Sequence, residues 1–344
     1  MKNYMKSMNS IRILSILAVL AIHTTTRTLE ANHFDLTGYP ISIFINQIAR
    51  FAVPLFFLIS GFLLELNAGE KLDYPTYFKK RFGRIAMPYI FWSLIYYFFV
   101  FNLNRDNLIK VLLTGNASYQ LYFIPTICIF YLVFPFLHQI YKVLANKWIL
   151  LILLITQYAL LYQDYFITII KTDNPVRIAT LSFFFFIVGM WASHSKGSIL
   201  TSLEKWKSVI IPLTIFQGLF VFWEGKSRYL STWNYTTFYS QWRPSVMIYT
   251  LLIALSAFYI FEKTNIQFPK SEKLSKLSYF VFFVHVIVLE VTWSLFGKSL
   301  FNLLGGSAIG KIFFDPIFFV IVTSLSFLIA FLIHKIPYLH KVTG

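Results

Sequence analysis

Within residues 11–28, which read IRILSILAVLAIHTTTRT, Arg12 stands near the start and His23 lies well inside an apolar run. Eleven residues of α-helix make about three turns plus about 20° and rise about 16 Å. Both side chains therefore lie on one face, a guanidinium at a membrane surface and an imidazole near the midplane. An imidazole can take a proton from a hydroxyl at neutral pH, or it can accept an acyl group covalently. The residue types leave both roles open for His23. Ionisable groups at such depth cost several kcal/mol or more in lipid, so they face a bundle interior or a wet cavity. The first helix reads as one wall of a reaction channel.

A second group is the basic run FKKRFGR at residues 78–84. If it forms the first turn of a helix, Arg81 and Arg84 share a face at i and i+3. Paired guanidinium groups grip phosphate or pyrophosphate bidentately, as holding coenzyme A at a membrane surface requires. The competing reading is a cytoplasmic anchor on anionic lipid. In RFAVPLFFLISGF, Arg50, Pro54, Ser60 and Gly61 imply a helix that bends, approaches a neighbour closely and carries a buried charge. Arg50 either lines a cavity or pairs with a carboxylate or helix end, and Glu65 is either a cavity residue or interfacial. A later run, LSYFVFFVHVIVLE, holds Tyr279, His285 and Glu290. A step of i to i+5 sets His285 and Glu290 about 140° apart, so they form no dyad. One would face the cavity while the other packs on a neighbour, and His285 is equally readable as a satisfied core residue.

The elements that must position these groups follow from composition. The chain has 344 residues, 57 % hydrophobic and 20 % aromatic, with 13 % charged and no room for a separate soluble domain. It reads as an all-α, multi-pass membrane protein, a single domain over 1–344. Ten apolar segments could cross a hydrocarbon core of about 30 Å: 11–28, 41–65, 85–102, 121–141, 148–163, 177–193, 208–224, 244–262, 276–296 and 312–334. With both termini cytoplasmic, 19 of the 30 Lys and Arg fall inside, Lys71 and Lys341 among them. Ten fall outside, including Arg105 and Lys171, and Arg50 is intramembrane. That bias fits ten spans. The net charge of +16 follows from the same topology, so no nucleic-acid partner is expected. The lone Cys128 allows no intrachain disulfide and no cysteine metal cluster. No small-x-small cleavage site follows the first segment, so that helix is expected to stay in the mature protein. Residues 225–243 read as an outer loop whose Trp, Tyr, Ser, Thr and Asn suit either a sugar-binding surface or an interfacial aromatic belt.

Taken in order, these pieces resemble the integral-membrane acyltransferase family 3. They are the Arg12–His23 spacing, VPLFFLISGF at 53–62, the Arg81–Arg84 pair, residues 121–135, FFFFIVGMW at 183–191 and the SYxxFxxH-like run at 278–285. The resemblance implies a ten-helix enzyme that takes an acyl group, usually acetyl, from cytoplasmic acyl-coenzyme A. The group passes to a hydroxyl of a cell-envelope or exopolysaccharide glycan or its lipid-linked precursor. On that footing Arg81 and Arg84, with Arg12, hold the donor phosphates, and the thioester arm reaches along the first helix to His23. The chain is similar to stand-alone members, without a fused extracytoplasmic domain, and succinyl is an alternative acyl group. No permanently bound cofactor and no metal are expected. The expected partners are the bilayer of a bacterial-type cytoplasmic membrane, acyl-coenzyme A, the glycan acceptor, and glycan-synthesis or export proteins. The alternative function is a polysaccharide or small-molecule exporter without acyl transfer; against it, no matched inverted repeat of broken helices is visible.

Overall fold

A computed structural model describes residues 2–35, 38–69, 72–103, 106–167, 174–264 and 266–336. Lys71, Arg105, Lys171 and Lys341 of the charge count lie outside these residues. The chain runs through α1 (Lys2–Ala31), α2 (Pro40–Ile48), α3 (Ala52–Asn67) and α4 (Tyr74–Ile95), which ends in a π-helical turn. Next come α5 (Leu108–Thr114), α6 (Phe123–Gln139), α7 (Tyr141–Leu144), α8 (Lys147–Tyr162) and α9 (Pro175–Thr232). The last five are α10 (Tyr235–Tyr239), α11 (Pro244–Lys263), α12 (Ser271–Thr292), α13 (Lys298–Gly305) and α14 (Ala308–His334). There is no strand among the described residues, and seven helical stretches are long and apolar enough to cross a membrane. The protein is an all-α, polytopic helix bundle.

Three expectations change in detail. The segment at 41–65 is broken: α2 stops at Ile48, residues 49–51 form a turn, and α3 starts at Ala52. Pro54 has no N–H to return to the Arg50 carbonyl, and a proline is well tolerated in a helix's first turn, so the chain restarts there. The segments at 177–193 and 208–224 are parts of one helix, the 58-residue α9. The polar stretch between them contains good helix formers such as Leu203, Glu204 and Lys205 and no proline, and Lys207 bonds Glu204 at 2.7 Å. Residues 225–243 are likewise mostly helical, shared between the end of α9 and α10.

The chain divides into two compact units, Met1–Phe56 with Ser198–Leu332 and Phe57–Gly197 with Ile333–Gly344. In the first, α1 packs on α12, α2 and α11. Small residues let these neighbours approach: Ser7, Ser10, Ser15, Ala18, Thr24, Thr25 and Thr28 are all buried. The Ser15 and Thr24 hydroxyls add little desolvation cost, because they donate to carbonyls one turn back at 2.9 and 3.0 Å. An aromatic cluster of Trp293, Phe301, Phe314 and Phe318 fills the space between α12, α13 and α14.

In the second unit the core is phenylalanine: Phe130 stacks on Phe186 at 4.6 Å, and Phe57 meets Phe123 and Phe130 at 4.9 and 5.4 Å. Here α3 and α9 cross backbone to backbone. A methyl group on Gly61 would overlap the Phe186 carbonyl oxygen, and one on Gly189 would overlap the Leu58 carbonyl oxygen. Gly61→Ala and Gly189→Ala should each cost about 1–3 kcal/mol by overpacking. Gly83→Ala, where an added Cβ meets nothing within 4 Å, serves as the control. Thermal melting of detergent-purified protein should fall for the first two only; equal melting of all three would refute this crossing.

Candidate functional site

In the first unit α1 and α12 run parallel and are joined by three polar rungs. At the first, Arg12 Nη1 donates to Ser275 Oγ at 3.0 Å. At the second, the rings of His23 and His285 lie 5.2 Å apart, tilted by 33°. At the third, Arg27 Nη2 pairs with Glu290 Oε2 at 3.4 Å, and its guanidinium lies 5.1 Å from the centre of the Trp293 ring. Arg12, His23 and Arg27 ascend α1 in the same order as Ser275, His285 and Glu290 ascend α12. Arg12 and His23 thus share a face, as their spacing requires. His285 and Glu290 form no dyad, and each meets a different residue of α1. The long Arg27 side chain spans the angle that separates them.

The second rung differs from the others in what it leaves open. His23 is half-buried, whereas His285 is 1 % exposed. His285 Nδ1 lies 3.0 Å from the Val281 carbonyl oxygen. A carbonyl only accepts, so Nδ1 carries the hydrogen, and Nε2 of the neutral ring presents a lone pair with no hydrogen-bond partner. Tyr279, two turns earlier on α12, packs edge-on against Phe283 at 5.1 Å.

Behind His23 a buried polar network closes the first unit. Asn46, at the end of α2, donates to the Ile22 carbonyl at 3.2 Å and to Thr25 and Thr26 at 3.0 Å. Its own oxygen accepts from Arg50 Nη2, and Arg50 Nη1 donates to the Tyr239 carbonyl at 2.6 Å. Arg50 therefore sits in the α2–α3 break and donates to a carbonyl and an amide oxygen. Next to it, Gln47 accepts from the fully buried Arg243 at 2.7 Å, and Arg243 faces Glu224 at 3.5 Å. Asp315 of α14, also fully buried, accepts from Thr28 at 2.5 Å and from Ser42. Sequence reasoning passed over Asn46, Gln47 and Asp315. The signal for each was a lone polar side chain inside an apolar run.

The remaining candidates belong to the second unit. Glu65 is 3 % exposed and bridges two imidazoles, with Oε2 2.9 Å from His138 Nδ1 and Oε1 2.9 Å from His194 Nε2. His138 Nε2 also meets the Gly69 carbonyl at 3.2 Å. Glu65 is thus buried between two imidazoles. Ser60 is half-buried on α3 beside Gly61. Arg81 and Arg84 lie inside α4, which begins at Tyr74 with Pro75 in its first turn, not at the helix start that the apolar pattern suggested. Arg84 is exposed, and the Arg81 guanidinium lies 5.8 and 6.0 Å from the ring centres of Tyr77 and Tyr131.

No solved structure matches the chain significantly. A curated relative, the "Probable poly-beta-1,6-N-acetyl-D-glucosamine export protein" of Staphylococcus epidermidis, is 24 % identical over 284 residues. That alignment covers 79 % of this chain and 78 % of the relative. A family model described as "Acyltransferase domain", that of acyltransferase family 3, matches residues 5–335. With that match over nearly the whole chain, the His23–His285 rung included, the chain belongs to the membrane-embedded acyltransferase family 3.

Proposed function

We propose that the protein moves an acyl group, acetyl in the first instance, from cytoplasmic acyl-coenzyme A to a hydroxyl of an extracytoplasmic glycan or its lipid-linked precursor. The observation that carries this reading is the half-buried His23 on the α12-facing side of α1, one polar rung beyond Arg12. A donor with phosphates at one end and a thioester at the other needs a cation and a base set apart. Arg12 and His23 are separated by about 16 Å along the helix axis. His23 takes the acceptor hydroxyl's proton as the oxygen attacks the thioester carbonyl. The carbon–sulfur bond then breaks, and the coenzyme A thiolate leaves with that proton returned from His23. General-base help of this kind contributes about 10²–10⁴-fold. Arg81 and Arg84 are assigned to the donor phosphates on chemistry, as exposed or aromatic-flanked guanidiniums within a basic run. The excess of basic residues on one side supports cytoplasmic termini in a bacterial-type cytoplasmic membrane. Glycan-synthesis or export proteins are the natural partners.

The printed name of the Staphylococcus epidermidis relative favours a second reading, glycan export. The two readings separate in everted vesicles supplied with labelled acetyl-coenzyme A and glycan precursor. Transfer places label in glycan, whereas export moves unmodified glycan with no label.

His23→Ala should lower transfer by at least about 10²-fold while acetyl-coenzyme A binding to the purified protein is retained. Normal acylation of the envelope glycan in that variant would overturn the role of His23, and acyl label trapped on His23 without acceptor would replace base by nucleophile. Replacing Arg81 and Arg84 together by alanine should weaken acetyl-coenzyme A binding in a direct titration; unchanged affinity would remove both from the donor site.

A further inference from the structure

We propose that His285 is the positioning residue for His23. Its Nε2 accepts the N–H of one His23 nitrogen, so that the other His23 nitrogen faces the reacting hydroxyl. This rests on the reading of His23 as the base. His285 is itself fixed: the bond to the Val281 carbonyl at 3.0 Å sets its tautomer and ring plane, and the ring is 1 % exposed. The tautomer leaves a buried lone pair on Nε2 without a partner, and a buried acceptor in that condition is costly unless a donor reaches it. His23 is the imidazole beside it, at 5.2 Å between ring centres.

The rungs on either side hold the two helices in register. Arg12 to Ser275 below and Arg27 to Glu290 above prevent α1 from sliding or turning relative to α12. The rings therefore meet in one arrangement, and the arrangement suits the chemistry. When His23 gains the hydroxyl's proton it carries two N–H groups. One stays directed at His285, and the other returns its proton to the departing thiolate. The neutral acceptor steadies the imidazolium without the full charge of a carboxylate, which would hold the proton more tightly.

The amide analogues of histidine test this. Glutamine places its side-chain oxygen near the position of Nε2, whereas asparagine reaches only the position of Nδ1 and can keep the bond to Val281. His285→Gln should retain kcat within about tenfold, and His285→Asn and His285→Leu should lose about 10²-fold in kcat. KM for acetyl-coenzyme A should be unchanged in all three, with thiol release followed in proteoliposomes. Asparagine performing as well as glutamine, or leucine leaving kcat intact, would overturn the proposal. Should the variants fail to fold, nitrogen NMR of histidine-labelled wild-type protein in bilayers decides: a hydrogen bond between His23 and an unprotonated His285 Nε2 is expected, and a protonated Nε2 refutes it. If that bond is present but the wild type releases no thiol from acetyl-coenzyme A, the transfer reading fails and the pairing stands. If thiol release proceeds without the bond, the pairing fails and the transfer reading stands.

Discussion

An ionisable side chain at bilayer depth must be matched by another group on a neighbouring element, and most of the first unit follows from that demand. Three such residues rise along one side of α1, and α12 answers each with Ser275, His285 or Glu290. Matching three rungs in the same order admits only a parallel pairing in a single register. The small buried residues of α1 then allow α2 and α11 to close around it. Arg50 obeys the same demand in another way. It donates to the Asn46 oxygen and the Tyr239 carbonyl, at a place where the helix is interrupted. Irregular backbone is tolerated at such depth where protein surrounds it.

The second unit solves its packing by different means. Close contact between α3 and α9 depends on two glycines facing each other's carbonyls, and phenylalanine rings fill what remains. Its buried carboxylates are each met by a partner: Glu65 by imidazoles from α6 and α9, and Asp164 by the Arg177 guanidinium. A membrane enzyme needs polar groups where water is scarce, and each must be held by something other than solvent.

Much of this was visible in the sequence wherever helix periodicity alone decides. The shared face of Arg12 and His23 needed only 3.6 residues per turn, and the helical character of every apolar segment needed only hydropathy. Partnership was not visible. Ser275 lies 263 residues from Arg12, and nothing local in either helix announces the other. The angle between His285 and Glu290 says where each side chain leaves the backbone, not which residue of another helix it meets. The dip in hydropathy at 194–207 resembled a loop, although it holds helix formers such as Leu203, Glu204 and Lys205 and no proline, and the helix continues through it. Asn46 and Asp315 were missed because a single polar residue in an apolar run has no period to detect.

The long-range pairing of α1 with α12 also has a consequence for synthesis. The first helix leaves the ribosome well before Ser275 has been made. At about 5–20 residues per second, the interval is about 10–50 s. During it Arg12, His23 and Arg27 stand in or near the membrane without the helix that accommodates them in the finished fold. Nascent α1 must wait at the interface, snorkel its cations toward headgroups, or be sheltered by the insertion machinery until the last third of the chain arrives. The ladder that organises the mature protein is thus among its latest structures to form, and maturation of the site is tied to completion of the chain.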